Sequence, residues 1–142
     1  MLTRTFETSL FEAVVHHPEV EPFLSLGQEI PSLAPYIENR GNVCLMNEHG
    51  GFLFVNSGPD EYDVHTAFLP SGRGIASHEA ALEARHIMFH HAHAKLLRTF
   101  VANDNKAARR LAASVGFRAH SDHHLFGVPG VIMTLEKEWI CQ

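Results

Sequence analysis

Residues 70–74 read Pro-Ser-Gly-Arg-Gly and stand between a strand-like stretch and the longest helix-like stretch of the chain. No other feature constrains the fold as much. A chain that leaves a strand, turns on glycine and enters a long helix sets that helix's free N–H groups and positive dipole end beside a sheet. Such a place attracts anions, phosphate above all. Gly72 and Gly74 lack side chains that would hold a phosphate off, and Arg73 adds a bidentate donor. No Gly-Lys-Ser/Thr follows, so this is not a Walker loop. The single Gly-x-Gly also falls short of the dinucleotide fingerprint.

The flanking segments define the class. Ahead of the junction, 3–7 reads as a short strand and Ser9–His17 as a helix. Leu10, Val14 and His17 make its stripe, and Ser9 with Glu12 resembles a capping box. Four prolines, at 18, 22, 31 and 35, break the next stretch. Strands are predicted over 42–46, 52–56 and 62–69, the first two joined by a turn at 47–51. Past the junction, a helix is predicted from Ala76 to Ala94 along Ala80, Ala84, Ile87, His91 and Ala94. Then come a strand over 96–102 and a helix capped by Asn103-Asp104-Asn105 and ended by Gly116. Two strands close the chain, the second over Val131–Glu136 after a turn at 127–130. The order β-α-α-β-β-β-α-β-α-β-β describes one mixed α/β (α+β) domain over residues 1–142, with a largely antiparallel sheet flanked by helices.

Composition removes several alternatives. A chain of 142 residues with 45% hydrophobic and 19% charged residues forms its own core and is not disordered. A net charge of −5 argues against duplex nucleic acid as a partner. No apolar run is long enough for a membrane helix or a signal peptide, so the expected compartment is the cytoplasm. Cys44 and Cys141 fit no metal or redox spacing and are expected to be unpaired and structural. Histidine is in excess: 12 of them, against 11 lysines and arginines together. His86, His90 and His93 share a helical spacing that suits two-imidazole metal binding, but no further ligand is identifiable, so no metal is expected.

The segment NKAARRLAASVGF resembles the Asn-x-x-Ala-x-x-Leu-x-x-x-x-Gly-Phe signature of the GCN5-related N-acetyltransferases (GNAT), with Asn105, Ala108, Leu111, Gly116 and Phe117 in register. The stretch from Phe68 to Ala76 resembles that family's pyrophosphate loop, although Ser71 stands where the family has Gln or Arg. The stretch 62–70 followed by Gly-Arg-Gly is similar to compact members encoded by phages and prophages. The resemblance implies acetyl-CoA, or another acyl-CoA, as cofactor. It implies amides of Gly72, Arg73, Gly74, Ile75, Ala76 and Ser77 on the pyrophosphate and the strand edge at Phe68 and Leu69 on the pantetheine arm. It also implies Asn105 on that arm and Arg109 near the nucleotide end. The positions at which relatives carry a proton donor are Ala108 and Ala112 here.

On this reading His65, on the strand before the loop, is the candidate catalytic base, since an imidazole titrating near pH 6.5 suits that role. Asp63, on the same strand face, would assist it. His120, His123 and His124, with His16 and His17, are candidates to line an acceptor cleft. The expected activity is acetyl transfer to a primary amine of a small molecule or protein, directly within a ternary complex, by a monomer or homodimer. A non-catalytic binding or assembly module of the same fold, and an enzyme modifying nucleotides or nucleobases, stay open as alternatives.

Overall fold

The computed structural model describes residues 1–140. Seven strands form one sheet in the order β1-β2-β3-β4-β5-β7-β6. They are β1 (Thr3–Arg4), β2 (Val43–Asn47), β3 (Gly50–Gly58), β4 (Glu61–Phe68), β5 (Leu96–Ala102), β6 (Arg118–Leu125) and β7 (Val128–Glu136). The helices are α1 (Thr8–Val15), α2 (Glu21–Ser25), α3 (Ala34–Ile37), α4 (Ile75–His90), α5 (Lys106–Ser114) and α6 (Lys137–Ile140). The mixed, largely antiparallel sheet is as expected. The proline-broken stretch holds short helical turns, among them α3, and the short α6 was not foreseen.

All neighbouring strands run antiparallel except β4 and β5. That parallel pair has a register of three positions, Glu61–Asp63 against Leu96–Arg98. Beyond it the two strands part, and the splay divides the sheet into an N-terminal and a C-terminal half. Arg98 clamps the point of divergence, donating to Asp63 at 3.2 Å and Glu61 at 3.1 Å.

Each sheet face is covered by different helices. Ala80, Ala84 and Met88 of α4 pack on Phe52, Phe54, Val64 and Phe68. Phe11, Val14 and Val15 of α1 pack on the other face, against Cys44, Met46, Leu53 and Ala67. Ala108 and Ala112 of α5 cover Val101, Val131 and Met133. Cys44 is buried, which pushes its thiol pKa up to about 12 and makes it inert. Cys141 lies outside the described residues.

Several sequence expectations need correction. Ser9 and Glu12 do not form a capping box. Glu7 occupies the N-cap without a side-chain bond, and the Glu12 carboxylate instead accepts the Leu33 N–H at 3.0 Å, tying α1 to the segment before α3. Leu10 is exposed and Phe11 takes the core position. α4 ends at His90, not Ala94. His93 adopts φ +60°, and Ala94 N–H returns to the Met88 carbonyl at 2.9 Å, which closes the helix end on a left-handed residue. His91 and Ala94 therefore leave the predicted helix stripe, and the His86–His90–His93 spacing does not exist on one helix. Among the described residues, no group of three His, Cys, Asp or Glu side chains is placed to hold a metal. The last turn is Phe126-Gly127, both at positive φ, so Val128, Pro129 and Gly130 belong to β7.

The second capped helix forms as expected. Asn105 Oδ1 accepts Ala108 N–H at 3.2 Å. Asn105→Ala should cost about 1 kcal/mol, read as a melting temperature lower by about 3 °C.

Candidate functional site

The splay between β4 and β5 is the site's frame. Side chains alternate along β4: Val64, Thr66 and Phe68 face α4, while Asp63, His65 and Ala67 face α1. Past Asp63 the β5-facing backbone edge of β4 has no strand partner among the described residues. Thr99 Oγ1 reaches across to the Val64 carbonyl at 3.1 Å, at the root of the divergence. Two adjoining cavities fill the gap. One, of about 420 Å³, is lined by residues that include His65, Thr66, Phe100, Asn105 and His123. The other, of about 670 Å³, runs to the N-terminus of α4 along Thr66, Phe68, Gly74, Ser77, Asn105 and Arg110. Phe23, Leu24, Thr66, Asn105, Ala108 and Leu111 border both, so they form one groove.

The groove ends at the glycine loop. Gly74 is the N-cap of α4 at φ +78°, and a Cβ there would meet nothing within 4 Å. The first helical backbone bond is made by His78 to Gly74, so the N–H groups of Ile75, Ala76 and Ser77 precede the hydrogen-bonded ladder. The Ser77 hydroxyl donates to the Gly74 carbonyl at 2.9 Å, fixing the turn. Arg85 donates to the Val115 carbonyl at 2.7 Å, and His78 bonds Ser114 at 2.9 Å, which holds α4 and α5 together on the α4 side of the groove.

The candidate residues divide by position. Phe68, Arg73, Gly74, Ile75, Ser77 and Asn105 line the groove, with Ala76 exposed in the same turn. Gly72 does not: it is buried against His49 and Phe68, its hydrogen atoms occupying space a methyl would need. Leu69 packs in the α1-side core, and its N–H bonds the His49 carbonyl at 2.8 Å. Arg109 is exposed outside the groove, which Arg110 lines instead. The Arg73 guanidinium donates to the Glu19 carbonyl and lies over the Phe23 ring, 6.0 Å from its centroid. Arg73 thus anchors the α1–α2 segment to the loop.

His65 stands where the strands part. The residue is exposed, yet the atoms packed around its ring desolvate it enough to lower its pKa below the ordinary 6.5, and the Asp63 charge offsets this only in part. The imidazole is therefore neutral at pH 7 and able to accept a proton. Asp63 does not hydrogen-bond it, because Arg98 holds that carboxylate. Of the acceptor-side histidines, His123 lines the groove, edge-on to Phe100 at 5.9 Å. His16 instead pairs with Glu21, and His17 accepts the Glu19 N–H. Sequence reasoning missed Phe23, Thr66 and Phe100. Thr66 was readable from strand alternation, whereas Phe23 sits in a proline-broken segment without periodicity.

The chain shares its fold with solved acetyltransferases, one of them described as GNAT-family. Three solved structures illustrate the likeness. Spermidine N-acetyltransferase from Vibrio cholerae, solved with CoA and spermine, superposes with a TM-score of 0.77 at 11% identity, over 97% of this chain and 95% of that one. A GNAT-family acetyltransferase from Bacillus anthracis gives 0.71 at 17% identity, over 96% and 95%. The aminoglycoside acetyltransferase AAC(6')-Ib, solved with ribostamycin and coenzyme A, gives 0.71 at 12% identity, over 96% and 94%. The sequence itself matches no family model and no curated protein. Among the described residues, no helix is long and apolar enough to cross a membrane.

Proposed function

We propose that this chain is an acetyl-CoA-dependent N-acetyltransferase acting on a primary amine by direct transfer. The observation that carries the reading is the unbroken groove from the α4 N-terminus to His65 through the open edge of β4. The residues fit the cofactor. The open space at Gly74 and the N–H groups of Ile75–Ser77 suit a pyrophosphate, with Arg110 on the groove wall. Asn105 spends its carboxamide oxygen on the helix cap, which leaves its NH2 group as a donor toward the groove. The unpaired edge of β4 suits the amides of a pantetheine arm.

Bound acetyl-CoA supplies the acyl group as a thioester, whose C–S bond breaks with its electron pair on sulfur as the amine nitrogen bonds the acyl carbon. His65 takes the amine proton. A β4 backbone N–H polarises the carbonyl. Ala108 and Ala112 line the groove and carry no proton to give, so the thiolate leaves unassisted by them. That same absence favours, as a second reading, a binding module of this fold. The phage-type likeness rests on 62–74 alone and has no counterpart among the structural neighbours, and a soluble intracellular enzyme remains our reading of its location.

Acetyl-CoA at 100 times its Kd should stabilise the protein by about 2.7 kcal/mol, a melting shift of about 9 °C. Thiol release on adding amine separates enzyme from module. No shift at millimolar acetyl-CoA would sink the cofactor assignment.

A further inference from the structure

We infer that the acceptor is a primary amine carried on an aromatic or otherwise apolar body, and not a polycation. This rests on the acetyltransferase reading above. On the α1 side of the splay, where His65 lies, the groove wall is built from Phe23 and Leu26 of the α2 segment, Phe100 of β5, His123 and Leu125 of β6 and Ile132 of β7. The whole cavity, which also reaches α4 and α5, is about 420 Å³, the size of a small-molecule site. Phe100 is half-buried edge-on to His123, and Phe23, 56% exposed, lines the same cavity. An aromatic ring entering this cavity would exchange water for these apolar surfaces.

Charge points the same way. The charged residues lining this cavity are Asp63, Arg85 and Arg98. Asp63 is its one carboxylate among the described residues, and Arg98 already neutralises it at 3.2 Å, with Glu61 taking the other guanidinium nitrogen. Two guanidiniums against one engaged carboxylate leave nothing to hold a second or third ammonium group. A polyamine would have to shed the hydration of its extra charges without recovering it. A monoamine carries only the one ionisable nitrogen whose proton passes to His65 as that nitrogen attacks, and it brings no further charge that needs an anion.

The test compares kcat/KM for 2-phenylethylamine and spermidine with acetyl-CoA, followed by thiol release. The expected preference for 2-phenylethylamine is about 100-fold, the scale of burying one phenyl ring. Phe23→Ala, which removes an exposed ring from the cavity wall, should narrow the preference at least tenfold, with 2-phenylethylamine losing. Equal or reversed preference in the unmodified protein overturns the acceptor class and leaves the transferase reading standing. A Phe23→Ala protein with an unchanged ratio overturns the placement of the acceptor. Turnover of neither amine overturns the acceptor class too, and the melting shift with acetyl-CoA then shows whether the cofactor reading has fallen with it.

Discussion

His65→Ala should lower turnover at least tenfold while acetyl-CoA still raises the melting temperature as in the unmodified protein. General base catalysis is worth about 10²–10⁴-fold where a positioned group performs it, and the truncated side chain touches neither the α4 N-terminus nor Asn105. The pH dependence sharpens the expectation. Desolvation of the ring lowers the His65 pKa, so its basic form persists as pH falls through the ordinary 6.5. The acid limb of kcat/KM should lie below pH 6.5 and disappear in His65→Ala. A limb that stays where it was in the variant would assign it to another group. Unchanged turnover would remove His65 from the chemistry.

Gly72→Ala and Gly74→Ala should have opposite signatures, although the two glycines are two residues apart. A Cβ at Gly72 would stand 2.3 Å from His49 Cβ and 3.2 Å from the Phe68 ring. His49 cannot swing away at its Cβ, so the loop must move and break the His49–Ser71 bond of 3.0 Å. Overpacking of this kind costs about 1–3 kcal/mol, visible as a lower urea midpoint, with a milder loss of acetyl-CoA affinity. At Gly74 a methyl meets open space, but φ is +78°. Alanine there costs about 1–2 kcal/mol in backbone strain and projects into the approach to the α4 amides. Its larger effect should be on acetyl-CoA binding, at least tenfold in Kd. If both variants lose stability and affinity in the same proportion, the two glycines do not have separate roles.

How much of this was legible depended on how local the signal was. β5 was readable to its last residue because a β-branched and aromatic run sits between a helix end and an Asn-rich cap. The α5 N-terminus was readable because Asn105 is both the cap and the family motif's first residue. The loop was located, but not what each glycine does in it, since Gly72 is set by His49, 23 positions away. The end of α4 was misjudged because its left-handed cap is His93, without the glycine that usually announces one. Arg109 was named ahead of Arg110 because adjacent residues on a helix differ by 100° in direction, and only the packed helix fixes which one faces the groove. The splay left no mark in sequence: β4 and β5 look continuous, and their parting is a property of the pair.

The three-position contact between β4 and β5 also bears on how the protein reaches its native state. Residues 1–68 and 96–136 each form antiparallel pairings within themselves, while the β4–β5 contact spans the whole α4 crossover. Contacts close in sequence form at small entropic cost, and distant ones form late. The two half-sheets can therefore organise separately, with α4 laid on the first and α5 on the second. The groove comes into being only when they dock through Glu61–Asp63, Leu96–Arg98 and the Arg98 clamp. The seam that makes room for a ligand is also a short junction in the sheet, so a bound ligand lying along it would act as a splint between the two halves.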